Sequence, residues 1–179
     1  MKRTVALLLI GIGVPIVQGA LNTFLPARFT PDLGLLIVIA LGLYWRSAAG
    51  GFALAAALGF AADLLSGSML GEQALLRLLA FGVARAASRQ LNLRGVVPQA
   101  VFVLVFTAVN ALGIGLLNSF FASGGSFDLT MLRDLPLHAG LNALFAPLVS
   151  RVIETVATTL GDDEGGRRIV RLAPRSRAT

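Results

Sequence analysis

The stretch Pro31–Gly71 reads PDLGLLIVIALGLYWRSAAGGFALAAALGFAADLLSGSMLG and contains two apolar segments. Residues 33–45 are apolar throughout, and Arg46 then interrupts the pattern. The pattern resumes over residues 48–65, in which Asp63 is the one charged side chain. Long uninterrupted apolar runs are typical of membrane helices. The stretch therefore predicts a helical hairpin, two membrane helices joined by a tight turn.

Small residues recur every four positions in the second helix of this hairpin. Gly51, Ala55 and Gly59 share one helical face, and we call them the small-residue stripe. Such a face allows a neighbouring helix to approach closely. The stripe predicts that helix three packs tightly against another helix.

Asp63 ends the small-residue stripe and is followed by a turn between Gly67 and Gly71. A carboxylate within a membrane helix is costly unless it is paired or reaches water. Asp63 can serve as a substrate ligand, a proton carrier or a partner contact. The simpler interpretation, which we favour, is a helix end that reaches the outer interface and joins the polar turn.

The composition is that of an integral membrane protein. Of 179 residues, 56% are hydrophobic and 13% are charged, and the mean hydropathy is +0.81. The alternation expected of barrel strands is absent from the sequence, so the predicted class is all-α. The chain has no cysteine, which excludes disulfides and thiolate metal sites. The net charge of +6 comes from arginines at helix ends and in a tail, a distribution that favours lipid headgroups over nucleic acid.

Six transmembrane helices are predicted within residues 1–160. Besides the hairpin they cover residues 4–25, 72–89 and 96–121, and a last helix begins near Leu135. The first apolar run also fits a cleaved signal peptide, but it continues past the small residues of a cleavage site, which favours a retained helix. Residues 161–179 are predicted to form a disordered basic cytoplasmic tail. Its candidates for binding lipid headgroups are Arg167, Arg168, Arg171, Arg175 and Arg177.

The fourth helix is ambiguous because it contains Arg77, Arg85 and Arg89. It either spans the membrane while its arginines extend toward each face, or lies in the interface without crossing. Crossing places most basic residues on one side, in agreement with the positive-inside rule. We therefore predict six crossings with both termini in the cytoplasm.

A polar group is predicted near the outer face of the membrane. Asn118, His138 and Asn142 can form an outer-leaflet pocket with Asp63, or can simply form hydrogen bonds between helices. A serine protease would need Ser66 or Ser68 beside His138, but no oxyanion-hole signature accompanies these serines. One histidine with scattered carboxylates also lacks the clustering of a metal site. The sequence therefore predicts neither an enzyme nor a cofactor.

The segments PDLGLLIVIALGLYW and GFAADLLSGSMLGEQAL resemble the bacterial rod shape-determining protein MreD family. The matching positions are Pro31, Asp32, Gly59, Asp63, Gly67 and Gly71. The resemblance is clear over helices two to four. Elsewhere it rests on length, hydropathy and basic ends.

Membership of this family would imply a six-helix fold similar to the substrate-binding subunits of energy-coupling-factor vitamin transporters. It would also imply a non-catalytic scaffold in the bacterial inner membrane that binds MreC. Through the elongation complex, which includes RodA and a class B penicillin-binding protein, such a scaffold helps couple MreB filaments to peptidoglycan synthesis and rod shape. The alternative function is a substrate-binding subunit of a vitamin-type transporter. In a transporter, Asp63, Asn118, His138 and Asn142 would face a closed cavity.

Overall fold

A computed structural model describes residues 2–24, 29–45, 47–66, 70–93, 95–121 and 130–159. These ranges form six α-helices and contain no strand. The predicted site residue Gly67 and the predicted tail, with its five arginines, lie outside them, and the side chain of Asn118 is likewise not described. The helices are α1 (Lys2–Phe24), α2 (Leu33–Tyr44), α3 (Ala48–Ser66), α4 (Glu72–Gln90), α5 (Val96–Phe121) and α6 (Thr130–Thr159).

The last helix begins earlier than the sequence predicted. We expected a start near Leu135, because residues 123–134 were assigned to an outer loop. The helix instead begins at Thr130 and continues through both Pro136 and Pro147. Met131, Leu132 and Arg133 have favourable helix propensities and extend the first turn toward the N-terminus.

Helix α2 is the centre of the bundle. It has 12 residues, which corresponds to roughly 18 Å, and every residue from Gly34 to Gly42 is buried. It packs against α1, α3, α4 and α6. Neighbouring helices cover it on all sides, in agreement with its unbroken hydrophobic sequence.

The small-residue stripe packs α3 against α4, which confirms the predicted close contact. Gly51 lies against the ring of Phe81, and Ala55 is fully buried. A Cβ atom on Gly59 would lie 2.7 Å from both the backbone nitrogen of Ala74 and the carbonyl oxygen of Gln73. The backbones of α3 and α4 therefore approach so closely that only glycine fits at this position.

Three helical segments in the described ranges are long and apolar enough to cross a membrane: Ala48–Ser66, Val96–Leu117 and Arg133–Val156. Large apolar side chains cover the outward face of α5 and remain exposed. Contiguous exposed apolar surface of this kind marks a membrane or a protein interface. The all-helical prediction is confirmed, and the apolar helices are compatible with a membrane protein.

Candidate functional site

Asp63 caps the N-terminus of the neighbouring helix. Helix α4 begins after Gly71, which occupies the N-cap position and has no side chain to accept from the first amides. The Oδ2 atom of Asp63 accepts from the amides of Gly71 at 2.9 Å and Ala74 at 3.3 Å. Its Oδ1 atom accepts from the amide of Gln73 at 2.8 Å. A carboxylate of α3 thus supplies the cap that the sequence of α4 lacks.

This cap depends on two glycines. Gly71 has φ +96°, a left-handed conformation that favours glycine, and it directs its amide toward Asp63. Gly59, one turn before Asp63 on α3, allows the first turn of α4 to approach closely enough for the hydrogen bonds to form. We call Gly59, Asp63 and Gly71, together with the first turn of α4, the cap corner.

Asp63 lies near the end of α3 and binds Gly71, as the favoured interpretation expected, but it is only 1% exposed and is therefore buried rather than solvated. Its charge is balanced by three backbone amides and by the positive end of the α4 dipole. The sequence showed that Asp63 needs a partner, but it did not show that the partner is the backbone of the next helix.

A second polar cluster joins four helices and includes the predicted residue Asn142. The amide of Asp32 donates to Oδ1 of Asn142 at 2.8 Å, and Nδ2 of Asn142 donates to the hydroxyl of Thr107 at 3.2 Å. The guanidinium of Arg77 donates to Oδ1 of Asp32 at 3.2 Å. We call Asp32, Arg77, Thr107 and Asn142 the central cluster.

Asp32 has two roles in the central cluster. It is the N-cap of α2, where its Oδ1 atom accepts from the amide of Leu35 at 2.9 Å. Its second role is to pair with Arg77, so that the two buried charges balance each other. His138 of α6 is half-buried near Asp32.

Arg77 is 6% exposed and lies directly over α2. A Cβ atom on Gly34 would lie 2.7 Å from its Nη1 atom, so glycine at this position makes room for the guanidinium. Within the described part of the chain, the Nε and Nη1 atoms of Arg77 are buried without a hydrogen-bond partner. The expected extension of Arg77 toward the outer membrane face does not occur, because Arg77 pairs with Asp32 inside the bundle.

The central cluster lies near the middle of the two longest helices. Thr107 is 11 residues after the start of α5 and 14 before its end. Asn142 is 12 residues after the start of α6 and 17 before its end. In a bilayer crossed by these helices, Asp32 and Arg77 would form an ion pair near the midplane. Ionisable groups at that depth are rare and frequently functional.

Arg85 supports the opposite end of α2. Its Nη1 atom donates to the carbonyl oxygen of Trp45, the C-cap residue of α2, at 2.7 Å. Arg77 and Arg85 of α4 therefore hold the first and last turns of α2. These contacts account for two of the three arginines of α4.

A cavity of about 250 Å³ adjoins both the cap corner and the central cluster. Asp32, Gly34, Ser66, Gln73 and Arg77 line it together with residues of α1. The hydroxyl of Ser66 donates to the carbonyl oxygen of Asp63 at 3.4 Å. Ser68, the other candidate nucleophile, lies outside the described residues.

Two residues that the sequence analysis placed in one pocket, Asp63 and Asn142, have different partners in the described hydrogen bonds. The described bonds of Asn142 lead to Asp32 and Thr107, whereas those of Asp63 lead to α4. Asp32 and Arg77 were not among our site candidates. Asp32 directly before an apolar helix is a recognisable N-cap signal, and a lone arginine in such a helix requires a partner. No sequence feature marked Thr107 as a site residue.

No family model, curated protein or solved structure matches the chain.

Proposed function

We propose that this protein is a non-catalytic scaffold of the bacterial cell-elongation machinery that binds MreC. In this role it helps couple MreB filaments to peptidoglycan synthesis by RodA and a class B penicillin-binding protein. The proposal places six crossings in the inner membrane, with both termini in the cytoplasm. The C-terminal ends of α2 and α4, with Arg85 and Arg89, then face the cytoplasm as the positive-inside rule requires.

The observation that carries the proposal is the location of the residues that resemble MreD. The described members of that set are Pro31, Asp32, Gly59, Asp63 and Gly71, and all of them lie at the starts of α2 and α4 or against them. Their polar atoms bind helix ends, Arg77 and Asn142. Groups that bind each other and helix ends support a structural role over ligand capture.

The cap corner also supports a specific partner surface. Phe60, Leu64 and Leu65 flank Asp63 on α3, and all three side chains are exposed. The hydrogen bonds of Asp63 hold this end of α3 against α4. In the proposal, the single membrane helix of MreC packs on the apolar face formed by Phe60 and Leu64, which lie one turn apart.

The direct test is purification of the tagged protein from cells that express MreC, followed by mass spectrometry of proteins and small molecules. We expect MreC to remain bound through purification. Loss of MreC under conditions that preserve the fold, together with a stoichiometric retained metabolite, would overturn the scaffold proposal.

One observation favours the transporter alternative as the second candidate. The cavity of about 250 Å³ contains Arg77, whose Nε and Nη1 atoms have no hydrogen-bond partner in the described structure. Broken or short helices that end near the bilayer midplane are typical of transporter binding sites. Against this alternative, Asp63 and Asn142 form hydrogen bonds to other parts of the protein and do not line the cavity.

A further inference from the structure

A larger cavity lies at the opposite end of the bundle from the cap corner. Its volume is about 640 Å³, within the range of roughly 300 to 1,000 Å³ that is usual for small-molecule sites. It is formed by the C-terminal ends of α2 and α4 and by the segment that follows α4. The residues that matter for its chemistry are Tyr44, Trp45, Arg85, Ser88, Arg89 and Asn92.

The lining of this cavity is cationic. Arg85 and Arg89 both contribute to it, and the described lining contains no aspartate or glutamate. They are four residues apart on α4, so they lie on one helical face with Cβ atoms about 6 Å apart. Arg89 is exposed and makes no hydrogen bond or ion pair with other described residues. Two guanidinium groups in one concave site provide both charge and a fork of donors for an oxyanion.

The arginines, and not the helix ends, make this site favourable for an anion. The carbonyl ends of α2 and α4 carry partial negative charge and by themselves favour a cation. Arg85 already binds the carbonyl oxygen of Trp45, so part of that charge is satisfied. Arg89 carries a full positive charge, which exceeds the roughly half negative charge at the C-terminal end of a helix. An anion is therefore the preferred occupant.

Tyr44 and Trp45 indicate where the anion comes from. Amphipathic aromatic rings are enriched at the level of lipid headgroups, and basic pockets between membrane helices bind anionic lipid phosphates. Tyr44 and Trp45 both line the same cavity as the arginines. Ser88 and Asn92 add polar residues to its lining.

We propose that this cavity binds a phosphate group, supplied by an anionic phospholipid such as phosphatidylglycerol. The inference rests on the membrane placement of the proposed function, but it does not depend on MreC. Retention of MreC is measured separately, so either proposal can fail while the other stands.

Native mass spectrometry of the full chain, with phosphatidylglycerol and phosphatidylcholine supplied in equal amounts, tests the proposal. The unchanged protein should retain phosphatidylglycerol preferentially, and Arg89→Gln should lower that retention about 5-fold or more. Arg151→Gln is the matched control, because Arg151 is also exposed and adjoins Ser150, which binds Gln99 near the start of α5. Retention by this control should stay within about 2-fold of the unchanged protein. Equal losses in the two variants, or no preference between the lipids, would overturn the proposal.

A second measurement uses the unchanged protein and is independent of any effect on folding. Phosphatidylglycerol should protect Arg89 from phenylglyoxal, an arginine-specific reagent, while Arg151 remains reactive. Inorganic phosphate in the same assay distinguishes a lipid phosphate from the phosphate of a soluble compound. Protection by inorganic phosphate at lower concentrations than the lipid would assign the cavity to a soluble phosphate compound and overturn the lipid proposal.

Discussion

Replacement of Asp63 by asparagine tests the cap corner with almost no change of shape. The carboxylate uses two oxygen atoms to accept from three backbone amides of Gly71, Gln73 and Ala74. Asparagine offers one oxygen and one NH2 group. In either orientation of the amide, at least one backbone N–H loses its acceptor and faces another donor.

The expected loss follows from these contacts. A hydrogen bond to a charged group contributes about 1.5 to 3 kcal/mol, and the favourable interaction with the helix dipole adds about 0.3 to 1 kcal/mol. Because Asp63 is 1% exposed, water cannot replace the missing acceptor. We therefore expect Asp63→Asn to lower the free energy of unfolding by about 2 to 4 kcal/mol.

The assay is thermal or detergent-induced unfolding of the purified protein in a fixed detergent. Asp134→Asn is the control, because it makes the same chemical change at an exposed position of α6. The control should remain within about 0.5 kcal/mol of the unchanged protein. If Asp63→Asn is as stable as the control, Asp63 does not act as the cap of α4, and the reasoning is refuted.

Three further predictions concern packing, the ion pair and topology. Gly59→Ala should destabilise the protein by about 1 to 3 kcal/mol through backbone overlap. Gly140→Ala should be neutral or stabilising, because an added Cβ there would meet no described atom within 4 Å outside its own helix backbone and chain neighbours. Equal melting temperatures of the two variants would contradict the close contact at Gly59. A double-mutant cycle of Asp32→Asn and Arg77→Met should give a coupling of about 1.5 to 3 kcal/mol, and additive effects would rule out the ion pair. A periplasm-active reporter fused after Thr179 should stay silent, and activity there would exclude the proposed six crossings.

The limits of α2, α3, α4 and α5 could be predicted closely because local signals mark them. Apolar runs of sufficient length define the helices, and Asp32 and Gly71 stand at the N-cap positions of α2 and α4. The start of α6 was missed because residues 130–134 were assigned to the preceding loop, although Met131, Leu132 and Arg133 have good helix propensity.

The partners of the charged residues could not be predicted, because they depend on tertiary packing. The sequence shows that Asp63 and Arg77 are costly in an apolar environment. It does not show that one accepts from the amides of α4 while the other pairs with Asp32, which is 45 residues away. Compensation by backbone amides is especially difficult to anticipate, since any helix N-terminus offers the same donors.

Site-specific photo-crosslinking to MreC tests the proposed scaffold most directly. A photoreactive residue replaces Leu64, which is 62% exposed and adjoins Asp63, or Leu148, which is 59% exposed on α6. The proposal predicts a covalent adduct with MreC at position 64 that is several-fold stronger than at position 148. No adduct at position 64, or equal adducts at both positions, would contradict the claim that the cap corner presents α3 to MreC.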